Sequence, residues 1–209
     1  DHFRSHADII GFSNEEFYDN MLRVATPYDS LVSPWDSDPA LRWVDVKGQV
    51  ARPKNGGAVN EAEAVAVVEE LEKVIQSGYR GSIGVVSPFR AQANRIQELV
   101  YQHSTLGSQV SDIDFLADTI HKFQGDERDM MIFSPVVSPG ISEGALTFLR
   151  RNPNLFNVAI SRARAALLVV GNKASAIHCG VDYLSRFAAY ADRPGDGGHP
   201  VLPGRGQDR

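Results

Sequence analysis

The sequence predicts an α/β domain built on a mostly parallel sheet with helices on both faces. Three observations lead there. Short strand-like runs alternate with stretches of helical periodicity along most of the chain, the pattern of parallel strands joined by helical crossovers. Two runs, Met130–Val137 and Ala166–Val170, are apolar at nearly every position, as strands covered on both faces must be. The chain has 209 residues, 43% hydrophobic and 22% charged, which suits one globular domain and excludes a disordered class.

The elements follow in order. Residues 7–23 read as a helix with Ile10, Phe17 and Met21 on one face. Residues 26–40 are rich in Pro, Ser and Asp and read as a loop. Leu41–Val46 alternates like a strand, and residues 47–58, with Gly48, Pro53, Gly56 and Gly57, form a second loop. Asn60 is placed to cap a helix running to about Ser77, with Glu63 three residues on as in a capping box. Ala64, Val68, Leu71 and Ile75 form its buried stripe, and Gly78 is its stop. The remaining Glu-rich surface of residues 61–72 reads as a solvated face.

Ser82–Ser87 is a short buried strand, after which Pro88 opens a helix capped by Ser87 and buried through Ala93, Ile96 and Val100. Phe115–Ile120 reads as a strand, Met130–Val137 as a central strand, Leu155–Arg164 as a helix, and Ala166–Val170 as the last strand. A final helix covers about 173–190, weakened by Gly180. These elements make one domain over residues 1–190; residues 191–209, with five Gly and three Pro, read as a disordered tail. Motif-bearing segments follow strand ends, so they are expected to cluster on one rim of the sheet.

The formal net charge is −5. A free-standing nucleic-acid binder is usually basic, because phosphate contacts drive affinity; any such site here is a local patch or half of a groove. Cys179 is the only cysteine, so no internal disulfide forms and a reducing, intracellular compartment fits, cytoplasmic or nuclear. No run of eighteen apolar residues occurs, so no membrane partner is expected. The chain begins at Asp1 inside a dense motif and reads as part of a longer protein.

A phosphate-binding loop needs a Gly-Lys pair inside G-x-x-x-x-G-K-[ST], and this chain has none. Asp126-Glu127 follows Phe123-Gln124-Gly125 rather than the apolar strand that precedes a magnesium-binding Asp-Glu. Alone, the chain is expected not to hydrolyse ATP.

Two blocks carry a different message. Thr119-Ile120-His121-Lys122-Phe123-Gln124-Gly125-Asp126-Glu127-Arg128-Asp129 is followed some thirty residues later by Asn157-Val158-Ala159-Ile160-Ser161-Arg162-Ala163-Arg164. They resemble motifs V and VI of superfamily 1 helicases, in the branch of the up-frameshift RNA helicase and the Dna2-like helicases. Phe3-Arg4-Ser5-His6 resembles that branch's Tyr-Arg segment, and Ser87-Pro88-Phe89-Arg90-Ala91-Gln92 its motif IV region. The four motifs stand in family order from residue 1 to about 175.

The resemblance implies a RecA-like fold, the second lobe of a P-loop NTPase motor. It implies ATP with Mg²⁺ between two lobes, the metal held by an N-terminal RecA-like lobe of the same polypeptide. Single-stranded DNA or RNA would cross both lobes, with 5′-to-3′ movement. Arg4 and Arg162 would reach the γ-phosphate as arginine fingers, a role suited to an always-charged fork of donors. Glu127 would contact the ribose, Phe3 would lie by the adenine without a tyrosine's hydroxyl, and Gln124 and Gly125 would form the adjoining turn. Ser87, Pro88, Thr119, His121 and Lys122 would face the strand, although some relatives carry an acidic residue at the His121 position.

Plainer readings stand beside these. Arg4 and Arg162 also fit ordinary surface arginines, Glu127 a partner of Arg128 or Arg162, and Phe3 a packing aromatic. Arg164 fits a structural ion pair, and Lys122, Arg150 and Arg151 fit solubilising charge. His2 and His6 have helical metal-ligand spacing but no third ligand beside them, and no metal site is expected. Cys179 next to His178 reads as an inert thiol. Two other functions share the fold: an ATPase switch that ignores nucleic acid, and a non-enzymatic interaction domain.

Overall fold

The computed structural model describes residues 5–192 apart from residues 24, 37, 38, 55 and 124. The expected tail therefore lies almost wholly outside the described residues. Helix α1 is Ala7–Phe17, strand β1 Leu41–Asp45, helix α2 Glu61–Gln76, strand β2 Ile83–Ser87, helix α3 Arg90–Gln102 and the short helix α4 Leu106–Gln109. Strand β3 is Phe115–Thr119, strand β4 Arg128–Phe133, helix α5 Glu143–Arg151, helix α6 Pro153–Ser161, strand β5 Ala163–Gly171, helix α7 Lys173–His178 and helix α8 Asp182–Tyr190.

The five strands form one sheet in the order β1-β5-β4-β2-β3, and every pairing is parallel. The expected class is what the chain adopts. β4 and β5 lie inside the sheet, which is why Met130, Met131, Ile132, Val169 and Val170 have no exposed surface. One face is closed by α2 and α3 through Val67, Leu71, Ile96 and Val100. The other is closed by α1, α6 and α8, where Phe12, Phe156 and Phe187 pack edge to face.

Several boundaries differ from expectation. α1 stops at Phe17 instead of residue 23, because Asp19 and Asn20 adopt left-handed backbone (φ 49° and 59°) and the Asn14 side chain caps the turn through Leu22 N (2.8 Å) and O (3.0 Å). Met21, expected on the buried face, is 78% exposed. α3 begins at Arg90, two residues after Pro88; Ser87 ends β2, and its Oγ accepts from the Phe89 amide (3.3 Å). The apolar run through Val137 is strand only to Phe133. Pro135 has no amide to donate and Val136 is left-handed (φ 61°), so the run continues as buried loop. The 155–164 helix is α6, begun by Pro153 and closed by Arg162 as its C-terminal cap; α5, just before it, has no counterpart in the sequence reading. The final helix is two, α7 and α8, parted at Gly180 (φ 69°).

Gly84, in the middle of β2, allows a crossing segment to lie on the sheet. A Cβ there would sit 2.8 Å from Phe123 Cε1 and inside the Met131 sulfur. Gly84→Ala should therefore destabilise the fold by about 1–3 kcal/mol, the usual penalty of overpacking a dense core. Urea unfolding measures it; an unchanged midpoint would mean that Phe123 can move aside freely.

Candidate functional site

Because all five strands run the same way, the sheet has a carboxyl rim and an amino rim. Ser87 and Thr119 end β2 and β3 in register at the carboxyl rim. Arg162, Arg128 and Arg164 lie at the start of β5 and β4, at the amino rim, where the Arg128 amide donates to Arg162 O (3.0 Å). The expected single cluster is thus two. The reason is the link between β3 and β4: residues 120–127 leave the carboxyl rim as a 3-10 turn, Ile120–Phe123, and return the chain to the amino rim. Phe123, fully buried, holds that link against Gly84.

At the amino rim, Arg162 is half-buried and makes no ion pair among the described residues. Among the described residues its Nε is a buried donor without an acceptor. Buried N–H groups nearly always have partners, so this one stands out on the amino rim together with the equally unpaired Arg128 Nε. The two arginine neighbours of Arg162 differ from it in making ion pairs. Arg164 pairs with Asp129 (3.3 Å), the structural role expected for it. Arg128, 8% exposed, bonds Asp126 (2.7 Å) and approaches Asp114 (3.4 Å). Gly125 is exposed with φ 83°, which suits glycine, and Glu127 is half-buried beside it. Arg4, Phe3, Gln124 and His2 lie outside the described residues. The neighbouring His6 is placed: its amide donates to Arg164 O (2.7 Å) and its Nδ1 caps α1 by accepting from the Asp8 amide (3.2 Å).

At the carboxyl rim, His121 and Lys122 are exposed and Pro88 is half-exposed. Ser87, expected to face a strand, has no exposed surface; its Oγ braces the turn that follows by accepting from the Phe89 amide. Thr119 is 5% exposed and its Oγ1 accepts from Arg90 Nη2 (3.1 Å); Arg90 also bonds Asp118 (2.6 Å). Cys179 is half-buried with Sγ donating to Ala176 O (3.1 Å).

One buried group escaped the sequence reading. Glu63, assigned to a solvated face, is fully buried. Asn60 caps α2 as expected, accepting from the Glu63 amide (3.2 Å), but the Asn60 amide is taken by Gln92 Oε1 (2.9 Å) and not by Glu63. The Glu63 carboxylate turns inward and accepts from Ser134 Oγ (2.6 Å) and the Val136 amide (2.8 Å). Gln92 Nε2 donates on to Ser134 Oγ (3.0 Å). Burial without a cation raises the Glu63 pKa to about 7, against the opposing pull of those two donors. The signal was present: Glu63, Val67 and Leu71 share the i, i+4 stripe of α2.

An all-parallel five-stranded sheet in this order, covered by helices on both faces, is a RecA-like α/β fold. The family model described as an AAA domain, AAA_12, matches residues 1–174, and the chain belongs to that family, within the up-frameshift-like branch of superfamily 1 helicases. It is 31% identical to the putative helicase MOV-10 of Gallus gallus over 82% of this chain and 20% of that protein. It is 30% identical to helicase sen1 of Schizosaccharomyces pombe over 81% of this chain and 10% of that protein. With the DNA polymerase alpha-associated DNA helicase A of Saccharomyces cerevisiae it shares 29% identity over 96% of this chain and 31% of the relative. The chain thus spans a third or less of these relatives. No helix among the described residues is long and apolar enough to cross a membrane.

Proposed function

We propose that this chain is the second motor lobe of an ATP-dependent helicase or translocase, acting inside the cell on single-stranded DNA or RNA. The carrying observation is the link of residues 120–127, which runs from the carboxyl rim to the amino rim beneath a buried Phe123. A strand pressing on His121 or Lys122 and a nucleotide touching Glu127 would then act on one short, anchored segment.

ATP would be held chiefly by an N-terminal RecA-like lobe, which would also hold Mg²⁺. The half-buried Arg162 guanidinium, with no ion pair among the described residues, fits the charge of a phosphate group. Arg162, joined by Arg4, would stabilise negative charge building on the γ-phosphate. Glu127 would hold the ribose, Gln124 and Gly125 would shape the turn beside it, and Phe3 would flank the adenine. Pro88, His121 and Lys122 would meet the strand, on backbone positioned by Ser87 and Thr119. Closure on ATP would bring the lobes together, and hydrolysis would release them, stepping the protein 5′ to 3′.

The test is ATP turnover by the intact protein with and without a single-stranded oligonucleotide. Strand-stimulated turnover supports the proposal. Turnover indifferent to any strand would make the protein an ATPase switch, and no turnover at all would leave an interaction domain.

A further inference from the structure

Beyond Pro88 the carboxyl rim opens into a groove of about 730 Å³, bounded by the arm of residues 51–59, the first turns of α3, and Phe148 of α5. That volume falls within the range of ligand sites, roughly 300–1,000 Å³. The two ends of the arm are tied together and to the body: Ala51 and Val59 form a two-hydrogen-bond antiparallel bridge (2.7 and 3.0 Å), and the Val50 amide donates to Pro139 O (2.8 Å). Gly57, at φ 90°, brings the arm so close to α3 that a Cβ there would lie 3.2 Å from that of Ala91.

The lining is of two kinds. Its cations are Arg52, Arg90 and Arg95, against Glu98 as the one acid, in a chain whose net charge is −5. Arg95 is engaged by Glu61 and Glu98, and Arg90 by Asp118. Arg52 is exposed and has no ion pair or hydrogen bond among the described residues. Its apolar side is aromatic: Phe148, an exposed large apolar residue at 37%, rests against the buried ring of Phe89, centroids 5.9 Å apart. Phe148 thus offers partly exposed ring surface, backed by Phe89, in a groove that an uncommitted guanidinium also lines. An acidic or purely apolar partner would use only one half of this lining. A chain of flat bases on a phosphate backbone uses both.

We propose that this groove is a further subsite for single-stranded nucleic acid, with Phe148 as the base-stacking platform and Arg52 as a phosphate contact. It rests on the strand-binding reading above and extends that path, since Pro88 belongs to both and Arg90 ties the groove to Thr119.

The experiment is equilibrium binding of a labelled oligothymidylate to the intact protein across a salt series. Arg52→Ala should reduce the slope of log affinity against log salt by about 0.7, the value for one phosphate contact on a single strand. Phe148→Ala should weaken binding roughly tenfold with the slope unchanged, as loss of one stacked base does, and Phe148→Trp should restore it. Lys73→Glu, three turns along α2 from Glu61, should leave the slope unaltered. If wild type binds the strand and both alanine variants match it in affinity and slope, the groove is not a subsite while the motor reading survives. If wild type binds no strand at any salt, both fall.

Discussion

In the intact protein, Arg162→Ala is expected to lower ATP turnover by roughly 10³–10⁵ while leaving strand affinity close to that of wild type. An arginine finger delivered from a second lobe contributes on that order. The local structure makes Arg162 the right donor to remove. It caps α6 at the amino rim, and among the described residues its Nε has no acceptor and no carboxylate pairs with it. Arg162→Lys should not rescue turnover, because a point charge cannot reproduce a planar fork. Arg164→Ala is the internal comparison: Arg164 is committed to Asp129 (3.3 Å), so its loss should affect stability slightly and turnover little. Steady-state turnover with single-strand affinity measured in parallel separates these cases. Wild-type turnover by the Arg162 variant would remove the arginine-finger assignment altogether.

The stability of this chain should fall as pH rises from about 4.5 to about 7, and Glu63→Gln should abolish that fall. Glu63 has its folded pKa raised from 4.5 to about 7 by burial. The folded state therefore binds a proton more tightly than the unfolded state across that window. The stabilisation is fully present below the unfolded value and lost as pH passes through the folded one. At its full extent it is on the order of 3 kcal/mol. Glutamine keeps an oxygen for Ser134 Oγ and the Val136 amide but carries no charge to bury. The variant should match wild type near pH 5 and exceed it by about 2–3 kcal/mol at pH 8. Asp45, Glu61 and Glu143, whose pKa values are lowered by Lys47, Arg95 and Arg150 respectively, act in the opposite sense, losing stability only in stronger acid. Urea midpoints across pH for both proteins make the comparison; parallel curves would show that folding leaves the Glu63 pKa unchanged.

Much of the architecture was legible because its signals are local. Periodicity marked α2 and α3, Asn60 and Gly78 marked the ends of α2, and unbroken apolar runs marked the central strands. The boundaries that moved were decided elsewhere. The run to Val137 leaves the sheet because the Val136 amide is claimed by Glu63, a residue more than seventy positions earlier. α1 ends early because Asn14 binds the backbone of Leu22. Such side-chain claims on distant backbone leave no periodic trace.

The sequence by itself determined the parallel α/β class, the family, and which residue types could handle phosphates and strands. Those depend on residue identity and spacing along the chain. Only the tertiary structure decided that the motifs occupy two rims, that residues 120–127 bridge them, that Glu63 faces inward, and that Phe148 and Arg52 border one groove. Each of these depends on strand direction and on packing between segments far apart in the chain, and packing is set by the whole fold at once.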